Sequence, residues 1–280
     1  MSKRRVKIVA DSSADLFRLS SVDFEAAPLK IITADKEYVD DETLDLKAMV
    51  DELSVYSGRS STSCPNASDW LNAFGDAEDI YCVTITATLS GSYNAAMLAK
   101  QTYEEQYPDR NVFVLNSLTA GPEIALILEK IEELVLAEKD FDSICRDITK
   151  YSAKTKLLFM LESMKNLANN GRVSPLVAKM AGLLGIRVVG KASDVGDLEP
   201  LGKCRGEKRA LEAIVKYMKS LGFSGGRIRI AHCFNEAAAS ELCALIKKEF
   251  KNAQIKFYSC KALCSFYAES GGLLVGFETM

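Results

Sequence analysis

Ile80-Tyr81-Cys82-Val83-Thr84-Ile85-Thr86 runs through Ala87-Thr88-Leu89 into Ser90-Gly91-Ser92-Tyr93-Asn94-Ala95-Ala96, and Val112-Phe113-Val114-Leu115 follows after Tyr107. The first run is short, apolar and rich in β-branched and aromatic residues, which suits a buried strand. Ala95, Ala96 and Ala99 form a stripe at helical spacing, so 90–107 reads as a helix, and 112–115 reads as a second strand. Strand, helix and strand at this spacing make a right-handed crossover, so the two strands are expected to be parallel. This unit places the chain in the α/β class.

Outward from it, 5–10 reads as a first strand, and Asp11-Ser12-Ser13-Ala14-Asp15 is a polar cluster able to cap a following helix. Residues 26–32 read as one strand turning at 33–36 into a short return strand. Helices are expected at 45–56, 68–74, 120–137 and 141–152, with 57–63 a loop. A second half begins near Lys154, with strands at 157–161, 186–191, 198–204, 227–233 and 254–258 and a closing strand after the turn 270–272. Helices are expected there at 163–168, 177–184, 207–221 and 236–250, and Gly171 supplies positive φ in the turn 169–172. The expected architecture is two α/β domains, 1–153 with a mostly parallel sheet and 154–280.

The composition excludes several function classes. A net charge of −3 over 280 residues removes the electrostatic footprint of sequence-independent nucleic-acid binding. No run approaches about 18 apolar residues, and Met1-Ser2-Lys3-Arg4-Arg5 leads into a strand rather than a signal-peptide core. A cytoplasmic protein without stable membrane insertion is expected. Eight cysteines without a C-x-x-C pair, with His232 as the single histidine, argue against structural zinc and for free thiols in a reducing compartment.

The motifs of common catalysts are missing. Thr88-Leu89-Ser90-Gly91-Ser92 lacks the leading glycine of a nucleophile elbow, and His232 lies inside the apolar run Ile228 to Cys233. Neither the P-loop nor the dinucleotide glycine fingerprint is written in the chain. What remains is hydroxyl-bearing residues at two loop-to-helix junctions, Ser60-Ser61-Thr62-Ser63-Cys64-Pro65 and Thr84 to Tyr93. Beyond the carboxyl end of a parallel strand, such a junction presents unpaired N–H groups that favour an anion. Ser and Thr at helix starts also serve as plain N-caps, so both roles stand at this point.

Five landmarks in order resemble the DegV family of bacterial fatty-acid-binding proteins. They are Asp11-Ser12-Ser13-Ala14-Asp15-Leu16, Thr62-Ser63-Cys64-Pro65, Thr86-Ala87-Thr88-Leu89-Ser90-Gly91-Ser92-Tyr93-Asn94-Ala95-Ala96, Gly171-Arg172-Val173-Ser174 and Lys203-Cys204-Arg205-Gly206. The resemblance implies a two-domain α/β protein that holds one long-chain fatty acid between its domains. It also implies that the protein presents the acid to a separate ATP-dependent fatty acid kinase, which makes an acyl phosphate for phospholipid synthesis. On it, Thr62 and Ser90 bind the carboxylate, Ser63, Gly91 and Ser92 shape the same pocket, and Arg172 and Arg205 meet the kinase. No catalytic residue, metal or cofactor is implied beyond the bound lipid. Cys64 stands where the family has glutamine, and Tyr267-Ala268-Glu269-Ser270-Gly271-Gly272 replaces a family H-x-G-P-G, which puts Tyr267 and Ser270 near the head group. The apolar run 180–186 is a candidate tunnel wall or plain interdomain core. Burial of a roughly 16-carbon chain would contribute roughly 11 kcal/mol gross. Two other readings are carried alongside: a serine esterase or acyl-transfer enzyme using Ser90 with Asp11, His232 or Tyr267 as base, and a binder of another amphipathic anion.

Overall fold

The computed structural model describes residues 4–179, 181 and 184–279. Its first part runs β1 (Val6–Asp11), β2 (Asp23–Ala27), β3 (Lys30–Ile32), β4 (Glu37–Val39), α1 (Leu46–Val55), β5 (Ser61–Ser63), α2 (Ala67–Phe74), β6 (Asp79–Thr84), α3 (Ser92–Gln106), β7 (Asn111–Asn116), α4 (Pro122–Leu136) and α5 (Phe141–Ser152). It continues with β8 (Thr155–Leu161), α6 (Lys165–Asn169), α7 (Pro175–Ala178), β9 (Ile186–Ala192), β10 (Leu198–Arg205), α8 (Glu207–Ser220), β11 (Gly226–His232), α9 (Glu236–Glu249), β12 (Ala253–Ser259), α10 (Ala262–Ala268) and β13 (Leu273–Glu278).

The strands form three sheets. One is parallel throughout in the order β2-β1-β6-β7, and it contains the crossover from β6 through α3 to β7. The second has the order β10-β9-β8-β13-β11-β12 and is antiparallel except for β11 with β12. The third is the small antiparallel sheet β4-β3-β5. The mixed α/β class read from the sequence is the one observed.

Helix α4 joins the two large sheets. It packs on β1 and β6 and also on β8, β11 and β13. Ile124, Ala125, Leu126, Ile127 and Leu128 are buried one after another, so this stretch is apolar around its circumference, while Glu129, Lys130 and Glu133 further along reach solvent. Its first turn comes so close to β13 that a Cβ on Gly276 would lie 2.5 Å from the Glu123 backbone nitrogen, so only glycine fits there. On the far face of the second sheet, Leu158 and Met160 of β8 join α8 and α9 in a separate core with Leu211, Ile214 and Leu242.

Several local expectations are corrected. The single strand 26–32 is two strands in different sheets, broken at Pro28, which can donate no ladder hydrogen bond. The loop 57–63 ends in β5, paired with β3 so that Thr62 lies opposite Ile31. The helix 177–184 is a short turn, α7, starting at Pro175 behind the Ser174 cap; Met180, Gly182 and Leu183, part of the candidate tunnel wall, lie outside the described residues. Residues 12–14 form one 3-10 turn with Asp15 at left-handed φ, not a capped α-helix. Helix α10 has no counterpart in the sequence reading.

Glu123 is the buried acid of the first turn of α4, where the helix dipole favours a negative charge. Burial nevertheless pushes its carboxyl up to about 7, against the opposing hydrogen bond from Thr155. The folded protein therefore keeps a proton on Glu123 at pH values where the unfolded chain has released it. The resulting stability is full below the ordinary carboxyl pKa and is lost as pH rises through about 7. Glu123→Gln should flatten this dependence: between about pH 5 and about pH 8 the urea midpoint of the wild type should fall more than that of the variant. Equal falls would show that Glu123 titrates as an ordinary carboxyl.

Candidate functional site

A cavity of about 290 Å3 lies between the loops that follow the carboxyl ends of the parallel strands and one face of the six-stranded sheet. Leu157, Phe159 and Leu161 of β8 form one wall, at alternate positions that point away from the α8 and α9 core. Leu29 and Ile85 come from the first half, and Leu198 and Leu274 close the second. Leu263, Cys264, Tyr267 and Ala268 come from α10.

The polar groups gather at one end. Thr62, Ser63 and Cys64 enter from β5 and the residue after it, and Ser90 and Gly91 from the loop before α3. Thr62 Oγ1 and Tyr267 Oη are 2.7 Å apart, so two residues more than two hundred positions apart share a hydrogen bond at the cavity wall. Either hydroxyl can donate to the other, which leaves the second proton free for a ligand. Burial pushes the Tyr267 phenol above its ordinary value, so it stays protonated.

Ligand and capping roles now separate. Asn66 caps α2, accepting from Ser68 N and Asp69 N in a capping box with Asp69, so Thr62 and Ser63 are not needed as caps. Gly91 caps α3 without a side-chain hydrogen bond, and the first turn carries no acid. Among the described residues, Ser90 Oγ takes a single long bond, 3.3 Å from Ser92 N. The start of a 15-residue helix thus faces the cavity with its N–H groups little engaged.

The buried carboxylate of Asp11 holds this loop. It accepts from Ile85 N at 2.9 Å, from Ser92 Oγ at 2.6 Å and from Ser13 Oγ. Desolvation raises the Asp11 pKa and those three donors oppose the rise. Helix α10 is held in the same manner. Lys261 N donates to Asp15 at 2.8 Å, and Ala262 N and Leu263 N donate to Asp40 at 2.9 and 3.1 Å. The first and last residues of the Asp11 to Asp15 motif therefore fix the two sides of the polar end.

Thr62, Ser63, Ser90, Gly91 and Tyr267 all line the one cavity. Ser92 does not line it, because its hydroxyl is turned to Asp11. Ser270 is exposed on the turn before β13 and does not line it either. Arg205 is exposed at the end of β10. Arg172, expected to face a partner, lies half-buried in the cavity wall. Its Nε donates to Leu89 O at 3.1 Å, and its guanidinium lies 6.0 Å from the Tyr267 ring centre. Among the described residues no carboxylate or imidazole hydrogen-bonds Ser90, and His232 sits outside the cavity with Nδ1 accepting from Asn235 N. The apolar wall was missed, since its leucines look like any core leucines; the alternation of faces along β8 was the available signal.

A cavity that is apolar along its length and rich in donors at one end fits an amphipathic anion. The family model described as an uncharacterised protein of the DegV family matches residues 5–279. A DegV domain-containing protein of Streptococcus pneumoniae is 44% identical over 276 residues, 97% of this chain and 98% of that one. The crystal structure of a DegV family protein from Eubacterium eligens loaded with heptadecanoic acid superposes with a TM-score of 0.96 at 42% identity, covering 98% of this chain and 100% of that one. The Streptococcus pneumoniae Fatty Acid Kinase (Fak) B3 protein loaded with linoleic acid gives 0.96 at 43% identity, over 98% and 99% of the two chains. The chain belongs to the DegV family.

Proposed function

We propose that this protein is a carrier that holds one long-chain fatty acid, with the carboxylate at the hydroxyl end of the cavity and the acyl chain along β8 and α10. The observation that carries this reading is the zoning of the cavity: hydroxyls, a helix start and one guanidinium at one end, hydrocarbon side chains along the rest. Thr62 and Ser90 donate to the carboxylate, the Gly91 region adds backbone N–H groups, and Arg172 supplies the positive charge. Tyr267 takes the place of the family's histidine by holding Thr62. The apolar remainder rewards each methylene by about 0.8 kcal/mol, which supplies the affinity. The segments 1–153 and 154–280 act as two domains that meet at this ligand, and the eight free thiols support a cytoplasmic setting.

We further propose that the carrier presents its ligand to an ATP-dependent fatty acid kinase. The likeness to the Fak B3 protein supports this, as does the exposure of Arg205 at the end of β10. The kinase would supply the phosphoryl chemistry, and the carrier the oriented carboxylate.

Organic extraction of the purified protein followed by mass spectrometry should yield long-chain fatty acid at close to one equivalent. Thr62→Val with Ser90→Ala should reduce retention about a hundredfold or more, at roughly 1.5 kcal/mol or more per lost hydrogen bond to a charged group. A polar metabolite in the extract, or undiminished retention by the folded double variant, would refute the assignment. For the partner, Arg205→Glu should leave lipid content unchanged and abolish acyl phosphate formation with a cognate kinase. Arg172→Glu should lower both, because that residue lines the cavity. Normal acyl phosphate formation by Arg205→Glu would remove it from the docking surface.

A further inference from the structure

The acyl cavity shares a wall with a second cavity. Thr155, Leu157, Phe159 and Leu161 follow one another on a single face of β8, and about 13 Å separates the Cα atoms of Leu157 and Leu161. Phe159 and Leu161 line the apolar cavity, Thr155 lines a neighbouring cavity of about 440 Å3, and Leu157, which is 2% exposed, lines both. The neighbouring cavity is lined by polar groups together with Leu115, Leu118 and Ala192. Thr155 Oγ1 donates to Glu123 at 2.7 Å, Asn116 and Ser117 line the same space, and the ion pair of Lys156 with Asp194 lies at its wall. Hydrocarbon offers these groups no hydrogen bond.

Thr62, Arg172 and Tyr267 lie at the other end of the row, where Tyr267 and Leu161 belong to one packed cluster with Leu167 and Val173. A chain anchored there runs down β8 past Leu161 and Phe159 and meets Leu157. We propose that Leu157 is the specificity-determining residue that sets the depth of the acyl cavity, and so the longest chain the protein retains. The inference rests on the fatty-acid reading above. Leu157 does two things at once: it packs against the methyl end of the ligand, and it separates that end from Glu123 and Thr155.

Truncating the partition removes three carbon atoms and deepens the cavity by about two, and each methylene that gains a buried place strengthens retention about fourfold. The test is competitive loading of delipidated protein with an equimolar set of saturated fatty acids from about 14 to about 22 carbons, read by mass spectrometry. Leu157→Ala should raise retention of chains two carbons longer than the wild-type optimum by about tenfold relative to that optimum. Leu157→Phe should move the optimum to shorter chains, and Leu157→Met, which conserves volume, should leave it in place. Wild-type profiles in the folded Ala and Phe variants would overturn the proposal. So would a crystal structure of loaded wild-type protein with the methyl end of the ligand away from Leu157, a result that does not depend on any variant folding. Wild-type protein that retains no fatty acid would instead refute the reading beneath it.

Discussion

Three buried carboxylates accept hydrogen bonds from backbone N–H groups brought from distant parts of the chain, and the position of the ligand end of the cavity depends on them. Asp15 and Asp40 take the first N–H groups of α10, which no residue of that helix can satisfy. Asp11 takes Ile85 N and the Ser92 hydroxyl on the opposite side. Each such bond favours the ionised acid, yet the desolvation of an acid among apolar residues is large, and it pushes Asp15 up to about 7 and Asp40 up to about 6. Removing any of the acceptors would leave buried N–H groups unpaired, which costs more than the bond contributes. The motif that looks like a helix cap in sequence is therefore a pair of anchors four positions apart, Asp11 and Asp15, and Thr62 meets Tyr267 because those anchors hold.

Protein interiors are normally packed as densely as organic crystals, so an apolar cavity of about 290 Å3 has to be explained. At about 24 cal/mol per Å3, leaving it unfilled would cost on the order of 7 kcal/mol, comparable to the whole net stability of a domain. Collapse is prevented by rigid walls on both sides. β8 is pinned between β9 and β13, and its other face is packed by α8 and α9, while α10 is tied at its start to Asp15 and Asp40. Phe159 sits where Gly190 opposes it across the ladder, and a Cβ there would lie 2.2 Å from the ring, so the ring fills space that any other residue would occupy. A cavity enclosed in this manner is one that a hydrocarbon ligand completes.

Much of the frame was legible in the sequence because it depends on local signals. Apolar runs bounded by turns gave the parallel unit from Ile80 to Leu115, and Asp194-Val195-Gly196 marked the hairpin between β9 and β10. The hydroxyls at 62, 63 and 90 were legible through spacing and resemblance. What escaped depends on contacts across long separations. Helix α10 is seven residues, too short to show a periodic stripe, and it stands because Asp15 and Asp40 cap it from the first half. The direction of Ser92 is set by Asp11, eighty-one positions earlier in the chain, and nothing near Ser92 announces it. The resemblance gave Arg172 a partner-facing role, but a backbone carbonyl at Leu89 draws its guanidinium into the wall.

That position of Arg172 decides the charge balance of the site. Tyr267 and Thr62 are neutral donors, and burial keeps the phenol protonated, so neither offsets a carboxylate's charge. Among the described residues lining the cavity, Arg172 is the one with a formal charge. A guanidinium cannot be deprotonated and presents its donors in a fixed plane. With Nε held by Leu89 O and Nη1 by Asn170 O, its orientation is set before a ligand arrives, and it need not be ordered on binding. An imidazole at position 267 would add a second cation whose charge varies near neutral pH. The phenol removes that dependence, and on the proposed reading the anion would rely on one permanent charge, two hydroxyl donors and a helix start.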